Sequence, residues 1–380
     1  MKNGSAILLL VGLASFLALG DRYLISTLYE KLMGEYHISS TLVFSIIFTS
    51  FYIGYTAFQI PGGRLAERYG PSKVSGFSLI AWSLLFILMP EIRSFPLAVV
   101  VSFLIGVAQG PIFPSIIFIL RLLYRDEQYA RASGVTAAMG DLSPAIIPVA
   151  AFSLLFAGKS IVIPFLFFGL LGILVGLLLI IVRSRSTPHA NSRKTVSING
   201  RFILFGISFF IYDMFFYILF TWYPYFLKER FSISSASFLF GSMPWIIMAA
   251  GSVLFGLLMD KLNRDSLISI ASYAIVLSSL IGISLVNNEK SFLLLTIISL
   301  LFLNPILLSS WRLSTRLSGE GRSSFVGGWM NFWGNVGGIL APFISAFMIE
   351  RLGFSKTFLL SSAIPLAGMA CWIYLGRSEE

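Results

Sequence analysis

The sequence has few of the residues from which soluble sites are built. Only 12% of its 380 residues are charged, two are histidine, and one, Cys371, is cysteine. A single cysteine excludes an intrachain disulfide and a thiolate metal cluster. Two isolated histidines lack metal-ligand spacing, so we expect no metal and no cofactor. No H-E-x-x-H or G-x-S-x-G motif occurs, so we expect no enzyme activity.

Apolar residues dominate instead. They make up 57% of the chain, and the mean hydropathy is +0.87. Apolar runs long enough to cross about 30 Å of hydrocarbon recur along the whole sequence. Because lipid offers the backbone no hydrogen-bond partners, such runs must be helical. The predicted fold class is an all-α membrane protein embedded in a lipid bilayer.

Charged or turn residues separate twelve apolar runs. The predicted transmembrane helices cover residues 5–30, 40–66, 72–90, 95–123, 128–157, 160–183, 201–227, 235–259, 266–287, 291–314, 324–349 and 355–376. The longest polar gap, "RSRSTPHANSRKTVSI", divides them into two sets of six. We therefore predict an N-terminal six-helix bundle at 1–183, a cytoplasmic linker at 184–198 and a C-terminal six-helix bundle at 199–380.

The basic residues predict the orientation. With the N-terminus inside, 18 lysines and arginines lie in cytoplasmic segments and 8 in outer ones, so both termini are expected in the cytoplasm. The net charge of +10 is spread over short loops without an aromatic-rich basic patch. That distribution predicts no nucleic-acid partner.

A short motif occurs twice. "GGRLAERYGPSK" follows the second predicted span and "GLLMDKLNRD" follows the eighth, so that Glu67 and Arg68 correspond to Asp260 and Lys261, 193 residues further on. Two bundles related by duplication and enclosing a central cavity are the layout of a transporter.

The first copy of this motif resembles the major facilitator superfamily pattern G-x-x-x-[DE]-R-x-G-[RK]-[RK]. Gly63, Glu67, Arg68, Gly70 and Lys73 fit it. The resemblance implies twelve helices in two six-helix bundles and transport by alternating access. It also implies a conformational gating role for the motif residues, which are Gly63, Glu67, Arg68, Gly70, Asp260 and Lys261.

Three further runs resemble the anion:cation symporter branch of that superfamily. They are "SFYIGYTAFQIPGGRLAERYGP", "FFYILFTWYPYFL" and "GGWMNFWGNVGG", and the Asp21–Arg22 pair of the first span also matches. The resemblance implies proton-coupled symport of a small organic anion, such as a carboxylate or sugar acid. We further expect the chain to be a monomer in the plasma membrane.

The sequence departs from this branch in the fourth span. Where the branch has R-F-L-x-G-x-x-E-G, the chain reads "SFLIGVAQG", with Ser102 and Gln109 in place of the charged residues. Two alternatives therefore stay open. The same fold could handle a zwitterion, a peptide or a cationic, drug-like substrate, with export as its direction, or the chain could be a membrane sensor that does not transport.

Four ionisable residues lie well inside predicted spans: Asp21, Arg22, Asp141 and Asp213. Each costs about 2.5–3.5 kcal/mol on insertion scales, which makes a functional role the default hypothesis. Asp21 and Arg22 project about 100° apart. We expect Arg22 to pair with a substrate carboxylate and Asp21 to carry the coupled proton; the alternative is that Arg22 only ties helices together through Asp141 or Asp213.

The two remaining acids differ in expectation. Asp213 lies in a cavity-lining span by the resemblance and is either a second proton-coupling group or a helix tie. Asp141 lies next to Pro144, where freed backbone groups need partners, so a structural role is favoured over coupling.

Polar and aromatic residues complete the predicted site. The substrate-binding set is Arg22, Tyr55, Gln59, Gln109, Tyr217, Trp222 and Asn331. Tyr55 and Gln59 share a helix face, as do Asn331 and Asn335. Inter-helix hydrogen bonding is the competing explanation and is the favoured one for Asn335. Arg312 lies near a helix end, where snorkelling to the interface explains it, and is left out of the site.

Overall fold

The computed structural model describes residues 2–38, 41–156, 160–182, 198–233, 238–318 and 323–376, and these residues form sixteen α-helices. The first nine are α1 Lys2–Thr27, α2 Tyr29–Glu35, α3 Thr41–Tyr69, α4 Pro71–Leu88, α5 Phe95–Gln109, α6 Ile112–Leu123, α7 Asp126–Asp141, α8 Ser143–Phe156 and α9 Val162–Ile181. The others are α10 Gly200–Phe231, α11 Met243–Leu262, α12 Asp265–Leu285, α13 Glu289–Ser318, α14 Ser323–Leu352, α15 Phe354–Ser361 and α16 Ala363–Gly376. The expectation of an all-α chain is confirmed.

Ten helical segments of the described chain are long and apolar enough to cross a membrane. Two further long helices, α3 with 29 residues and α14 with 30, are not among these ten. At 1.5 Å per residue each is about 43–45 Å long, which exceeds the thickness of the hydrocarbon core.

Five predicted spans contain a break in the helix. The breaks separate α1 from α2, α5 from α6, α7 from α8 and α15 from α16, and a π-helical turn, Phe238–Ser242, precedes α11. In four of the five, a proline lies just before or within the first three residues of the following helix: Pro111, Pro144, Pro244 and Pro365. Proline lacks an N–H and is best accommodated in the first turn of a helix, and at these four breaks it begins a new segment.

The chain divides into two compact units. Unit 1 contains residues 1–123, 139–194 and 318–329, and unit 2 contains residues 124–138, 195–317 and 330–380. Residues 184–197 of the predicted linker lie outside the described residues, so the division of the chain at that linker stays a prediction.

Unit 1 is held together by helix pairs that meet at glycine. A methyl group at Gly106 of α5 would overlap the backbone of α3, and one at Gly54 of α3 would overlap the backbone of α5. Gly76 of α4 and Gly176 of α9 meet in the same way. Small residues allow this close approach, and the resulting dispersion contacts drive helix association in lipid.

Helices of unit 2 also meet at glycine, and in one pair the glycine faces an aromatic side chain. The ring of Tyr273 on α12 occupies the space over Gly368 of α16, and the backbone of Ser252 on α11 lies against Gly134 of α7. Tyr273 and Trp372 are fully buried. A glycine opposite an aromatic ring thus lets a bulky side chain fill the space between two helices without voids.

Candidate functional site

Arg22 lies on α1 and reaches across unit 1 to the last residue of α5. Its Nε and Nη2 donate to Oε1 of Gln109 at 3.3 and 3.0 Å. Gln109 is fully buried, and α5 breaks directly after it. The residue that replaces the branch glutamate is therefore still an acceptor for the arginine, but it is a neutral one.

Three aromatic rings of α3 surround the guanidinium of Arg22. The centroids of Phe51, Tyr52 and Tyr55 lie 4.8, 5.4 and 4.5 Å from its Cζ. Such distances are those of cation–π contacts, which strengthen when the pair is removed from water. Rings in these positions pack against a planar guanidinium, the side-chain group whose paired N–H donors recognise a carboxylate.

Asp21 faces a different partner from its neighbour Arg22. Its carboxylate is buried and accepts a hydrogen bond from Nε1 of Trp82 on α4 at 2.5 Å. The predicted divergence of the two side chains is thus visible in their contacts. Sequence reasoning missed Trp82, because nothing in the local pattern distinguishes this tryptophan from those that only pack.

A small cavity lies between these groups. Its lining residues are Asp21, Arg22, Ile25, Ile47, Phe48, Phe51, Tyr52, Phe86, Ser102 and Ile105, and it has about 20 Å³ for the centre of a water-sized sphere. That volume holds about one water molecule. Ser102, which replaces the branch arginine, donates to the carbonyl of Ile47 at 2.8 Å and so occupies the cavity wall as a helix-to-helix contact.

Tyr55 and Gln59, the polar pair predicted on α3, are both buried. The Tyr55 ring contacts Arg22, and it also stacks on Phe51 at 5.6 Å. Neither amide atom of Gln59 has a hydrogen-bond partner among the described residues, and the same is true of Nε2 of Gln109. Buried amide atoms without partners are costly, so they suit a site whose partners arrive with a ligand or with water.

The predicted site residues of unit 2 lie where α10 meets α14. Asp213 is half-buried, and a methyl group at Gly334 would overlap its carboxylate. Tyr217, one turn along α10, covers Gly338 in the same manner. Trp222 is also on α10, but its side chain lies outside the described part of the chain.

Asn331 is nearly buried on α14, and its carbonyl accepts a hydrogen bond from Nδ2 of Asn335 at 2.7 Å. The inter-helix hydrogen bond favoured for Asn335 is therefore replaced by one within the helix. The cause is the spacing of the two residues, because the side-chain amide of Asn335 lies one helical turn after the carbonyl of Asn331. Asp141, at the end of α7, is buried and close enough to Tyr23 to interact with it electrostatically.

The first motif copy caps a distant helix. Oε1 of Glu67 accepts from the backbone N–H of Phe325 at 2.8 Å, in the first turn of α14, where an anion is stabilised by the helix dipole. Arg68 stacks on Tyr69, with 5.2 Å from Cζ to the ring centroid. Gly70 has φ of 95°, a left-handed conformation that explains the glycine between α3 and α4. Gly63 is buried on α3.

The second motif copy does the same in unit 2. The carboxylate of Asp260 accepts from the backbone N–H groups of Ala130 and Arg131, both at 3.0 Å, near the start of α7. Lys261 is exposed at the end of α11. Both acids of the repeated motif therefore accept hydrogen bonds from backbone N–H groups of another helix, in the first turn of α14 for Glu67 and in the second turn of α7 for Asp260, which the sequence repeat alone did not indicate.

The interpretation of Arg312 as a snorkelling residue is wrong. Its side chain is 1% exposed and is paired with Asp260 and Asp265, both at 2.9 Å. Arg316, one turn later on α13, pairs with Asp265 at 3.1 Å and donates to Asn263 at 3.0 Å. The ends of α11 and α12 bring these acids over α13, so the arginine finds its counter-charges inside the protein and not at the lipid interface.

The described residues contain no group of three histidine, cysteine or acidic side chains arranged to hold a metal ion. Cys371 is a buried free thiol.

Comparison with known proteins places the chain in a family. Residues 11–342 match the model of the Major Facilitator Superfamily. The chain is 24% identical to the hexuronate transporter of Bacillus subtilis, with 96% of this chain and 92% of the relative aligned. It is equally similar to a probable galactarate/D-glucarate transporter of Escherichia coli, over 97% and 94% of the two chains.

The solved structures agree on the fold. The human organic anion transporter MFSD10 superimposes with a TM-score of 0.80 at 13% identity, covering 97% of this chain and 99% of its own. The resemblance read from the sequence is confirmed, and relatives of this kind are transporters and not enzymes. The chain is a multi-pass integral membrane protein and belongs to the Major Facilitator Superfamily.

Proposed function

We propose that this protein is a secondary active transporter that moves a small organic anion together with protons by alternating access. The observation that carries the proposal is the Arg22 site, a guanidinium held by three aromatic rings and hydrogen-bonded to a neutral amide inside a membrane helix. A carboxylate is the ligand whose shape and charge match such a group.

The charge of the Arg22–Gln109 pair favours an anion over a cation. With glutamate at position 109 the pair would be neutral, whereas glutamine leaves it at +1. A positive group inside the hydrocarbon is stabilised by negative charge, and a bound carboxylate supplies such charge. Glutamine also keeps its own N–H groups for a ligand oxygen, because Nε2 has no partner among the described residues.

The proposed substrate class is a carboxylate or sugar acid. Two relatives are named for such compounds, hexuronate in one case and galactarate and D-glucarate in the other. A sugar acid presents a carboxylate and several hydroxyl groups. Arg22 suits the first, and the amides of Gln59 and Gln109 suit the second, with Tyr217, Trp222 and Asn331 proposed as further contacts.

Asp21 is the proposed proton-coupling group, with Asp213 as a second. Asp21 lies beside Arg22 in sequence, is buried and has a direct donor in Trp82, so its charge is held within reach of the substrate site. A carboxyl group that gains a proton on one side of the membrane and loses it on the other is what symport requires. The proposed energy source is therefore a proton gradient.

The proposed topology has twelve spans with both termini in the cytoplasm of a plasma-membrane monomer. Adding α3 and α14 to the ten candidate spans makes twelve, an even number that places both termini on one side. The excess of lysine and arginine in the predicted inner loops favours the cytoplasmic side. The proposed gating residues are Gly63, Glu67, Arg68, Gly70, Asp260 and Lys261, since Glu67 and Asp260 each accept hydrogen bonds from the backbone of another helix.

Transport by purified protein in liposomes tests this function. We expect galacturonate uptake driven by an inward proton gradient in the native chain and its loss in Arg22→Ala and in Asp21→Asn. Asp21→Asn should retain counterflow, because exchange of loaded carriers needs no net proton movement. Arg93→Ala is the matched control, since Arg93 is an exposed arginine paired with Glu35.

Unchanged uptake in both site variants would refute the proposal. Stabilisation by amines and not by carboxylates in a thermal-shift screen would favour the zwitterion or cation alternative. Ligand binding without any counterflow would identify a sensor.

A further inference from the structure

A groove of about 540 Å³ lies on the surface of unit 1. Its lining residues come from α3, α4 and the α5–α6 break: Phe58, Leu65, Tyr69, Lys73, Val74, Phe77, Ser78, Ala81, Val107, Ala108 and Pro111. Lys73 is the one charged side chain among these lining residues. Nothing in the proposed transport chemistry uses this groove.

The shape of the groove follows from the packing of three helices. Gly62 of α3 lies directly against Pro111, so the helices touch at the floor. Ala81 and Ala108 leave a depression beside them, and the exposed rings of Phe77 and Tyr69 form its walls. The groove follows α4 from Lys73 to Ala81 and α3 from Tyr69 to Phe58, which is roughly 12–16 Å at 1.5 Å per residue.

One end of the groove carries positive charge. Lys73 is exposed there and makes no hydrogen bond or ion pair with the residues that the structure describes. It lies in the first turn of α4, whose N-terminus has no side-chain cap, so the backbone N–H groups and the helix dipole add to its field. Arg68 stacks on Tyr69 at the same end.

We propose that this groove binds one anionic phospholipid. The apolar length takes an acyl chain, and Lys73 with the start of α4 takes the phosphate. Two observations favour a lipid over a protein segment. The groove lies along α4 and the α5–α6 segment, both long and apolar enough to cross a membrane, so acyl chains are its surroundings, and Lys73 lies in the first turn of α4, where the polar headgroups are. This proposal does not depend on the identity of the transported substrate.

A second segment of the chain is similar to the one that carries Lys73 and supplies a control for the charge of that lysine. The six residues from Arg68 to Lys73 read "RYGPSK", and those from Arg351 to Lys356 read "RLGFSK". In both, a glycine with positive φ precedes a helix and a lysine is the third helical residue; φ is 95° at Gly70 and 78° at Gly353. Lys356 is exposed as Lys73 is, but it does not line the groove.

Native mass spectrometry of the full-length protein in detergent tests the proposal, with titrations of dioleoylphosphatidylglycerol, dioleoylphosphatidylcholine and dioleoylglycerol. We expect tightest binding of the first lipid. Lys73→Gln should weaken its binding about five-fold or more, as expected for one lysine at a membrane surface, and should leave the binding of dioleoylglycerol, which has no phosphate, unchanged. Lys356→Gln should change neither by more than about two-fold.

Ala81→Trp fills the groove without touching its charge and should weaken the binding of all three lipids. Because Ala81 is exposed, this change should not affect folding. Equal effects of Lys73→Gln and Lys356→Gln, or no preference for phosphatidylglycerol, would overturn the assignment of the headgroup. Undiminished lipid binding by Ala81→Trp would overturn the assignment of the groove.

Discussion

Arg22 and Arg312 both place a guanidinium within a membrane helix, but the groups that surround the two guanidiniums differ. Arg22 on α1 donates to the amide of Gln109 and is flanked by three rings, whereas Arg312 on α13 is paired with two carboxylates and is almost fully enclosed. A guanidinium whose charge is matched by fixed carboxylates serves to hold helices together. Arg22 instead donates to a neutral amide, and in the proposed function this guanidinium meets the carboxylate of the substrate.

Converting the Arg312 site toward the Arg22 site should have the largest effect. Asp265→Asn replaces a carboxylate by an amide and removes the ion pairs to Arg312 and Arg316. Because Arg312 keeps its charge in a buried position, we expect a loss of about 3 kcal/mol of stability. The unfolding midpoint in detergent measures it, and Glu91→Ala, at an exposed acid, should leave that midpoint in place. Equal midpoints for both variants would show that Arg312 does not need its partner.

The reverse conversion tests the Arg22 site. Gln109→Glu would place a carboxylate at the acceptor that now lies 3.0 Å from Nη2 of Arg22. The fixed carboxylate then competes with the substrate for the guanidinium, so we expect about ten-fold weaker binding of a sugar acid, the scale of one charge-assisted hydrogen bond. The half-saturation concentration for counterflow measures this change. Gln128→Glu, an exposed glutamine of α7, is the control, and an affinity equal to that of the control would contradict the assignment.

The aromatic surroundings of Arg22 should contribute less than its hydrogen bonds. Tyr55→Leu removes a ring 4.5 Å from the guanidinium and should weaken substrate binding by about three- to five-fold, the scale of a partly buried cation–π contact. Tyr55→Phe keeps the ring and should stay within about two-fold of the native affinity. If the phenylalanine variant is as weak as the leucine one, the hydroxyl of Tyr55 and not its ring is what binding requires.

The outermost member of the Arg312 cluster should matter least. Arg316 is 32% exposed, so water already screens its pair with Asp265. Arg316→Gln should therefore cost less than about 1 kcal/mol, the usual value for exposed ion pairs. Thermal unfolding of this variant beside Arg312→Gln gives the comparison, and a cost as large as that of the buried arginine would show that the two act as one unit.

The helical content and approximate bounds of the spans followed from hydropathy, because about twenty consecutive apolar residues have few alternatives in lipid. The breaks did not follow. The sequence shows a proline near four of them, namely Pro111, Pro144, Pro244 and Pro365. However, a proline in a membrane helix produces either a kink or the start of a new helix, depending on its neighbours, and hydropathy does not distinguish the two outcomes.

The side-chain partners were harder to predict than the helices. Helical periodicity placed Asp21 and Arg22 on different faces, yet it could not select Trp82 and Gln109, which come from helices 61 and 87 residues away. For Arg312 a signal did exist. Asp260 and Asp265 lie on either side of one short loop, and Arg312 and Arg316 lie one turn apart on α13. Two acids and two bases in this arrangement indicate an internal cluster of ion pairs, whereas the position of Arg312 near a helix end had favoured snorkelling.

The packing of α10 against α14 has a consequence for laboratory evolution of this transporter. Asp213 and Tyr217 each occupy space that exists only because α14 has glycine at 334 and 338. A library that varies α10 to change substrate range would need to keep both glycines, while one that varies α14 would lose most of its members at those two codons. The tolerance of this face to new sequences is therefore limited by residues that have no side chain at all.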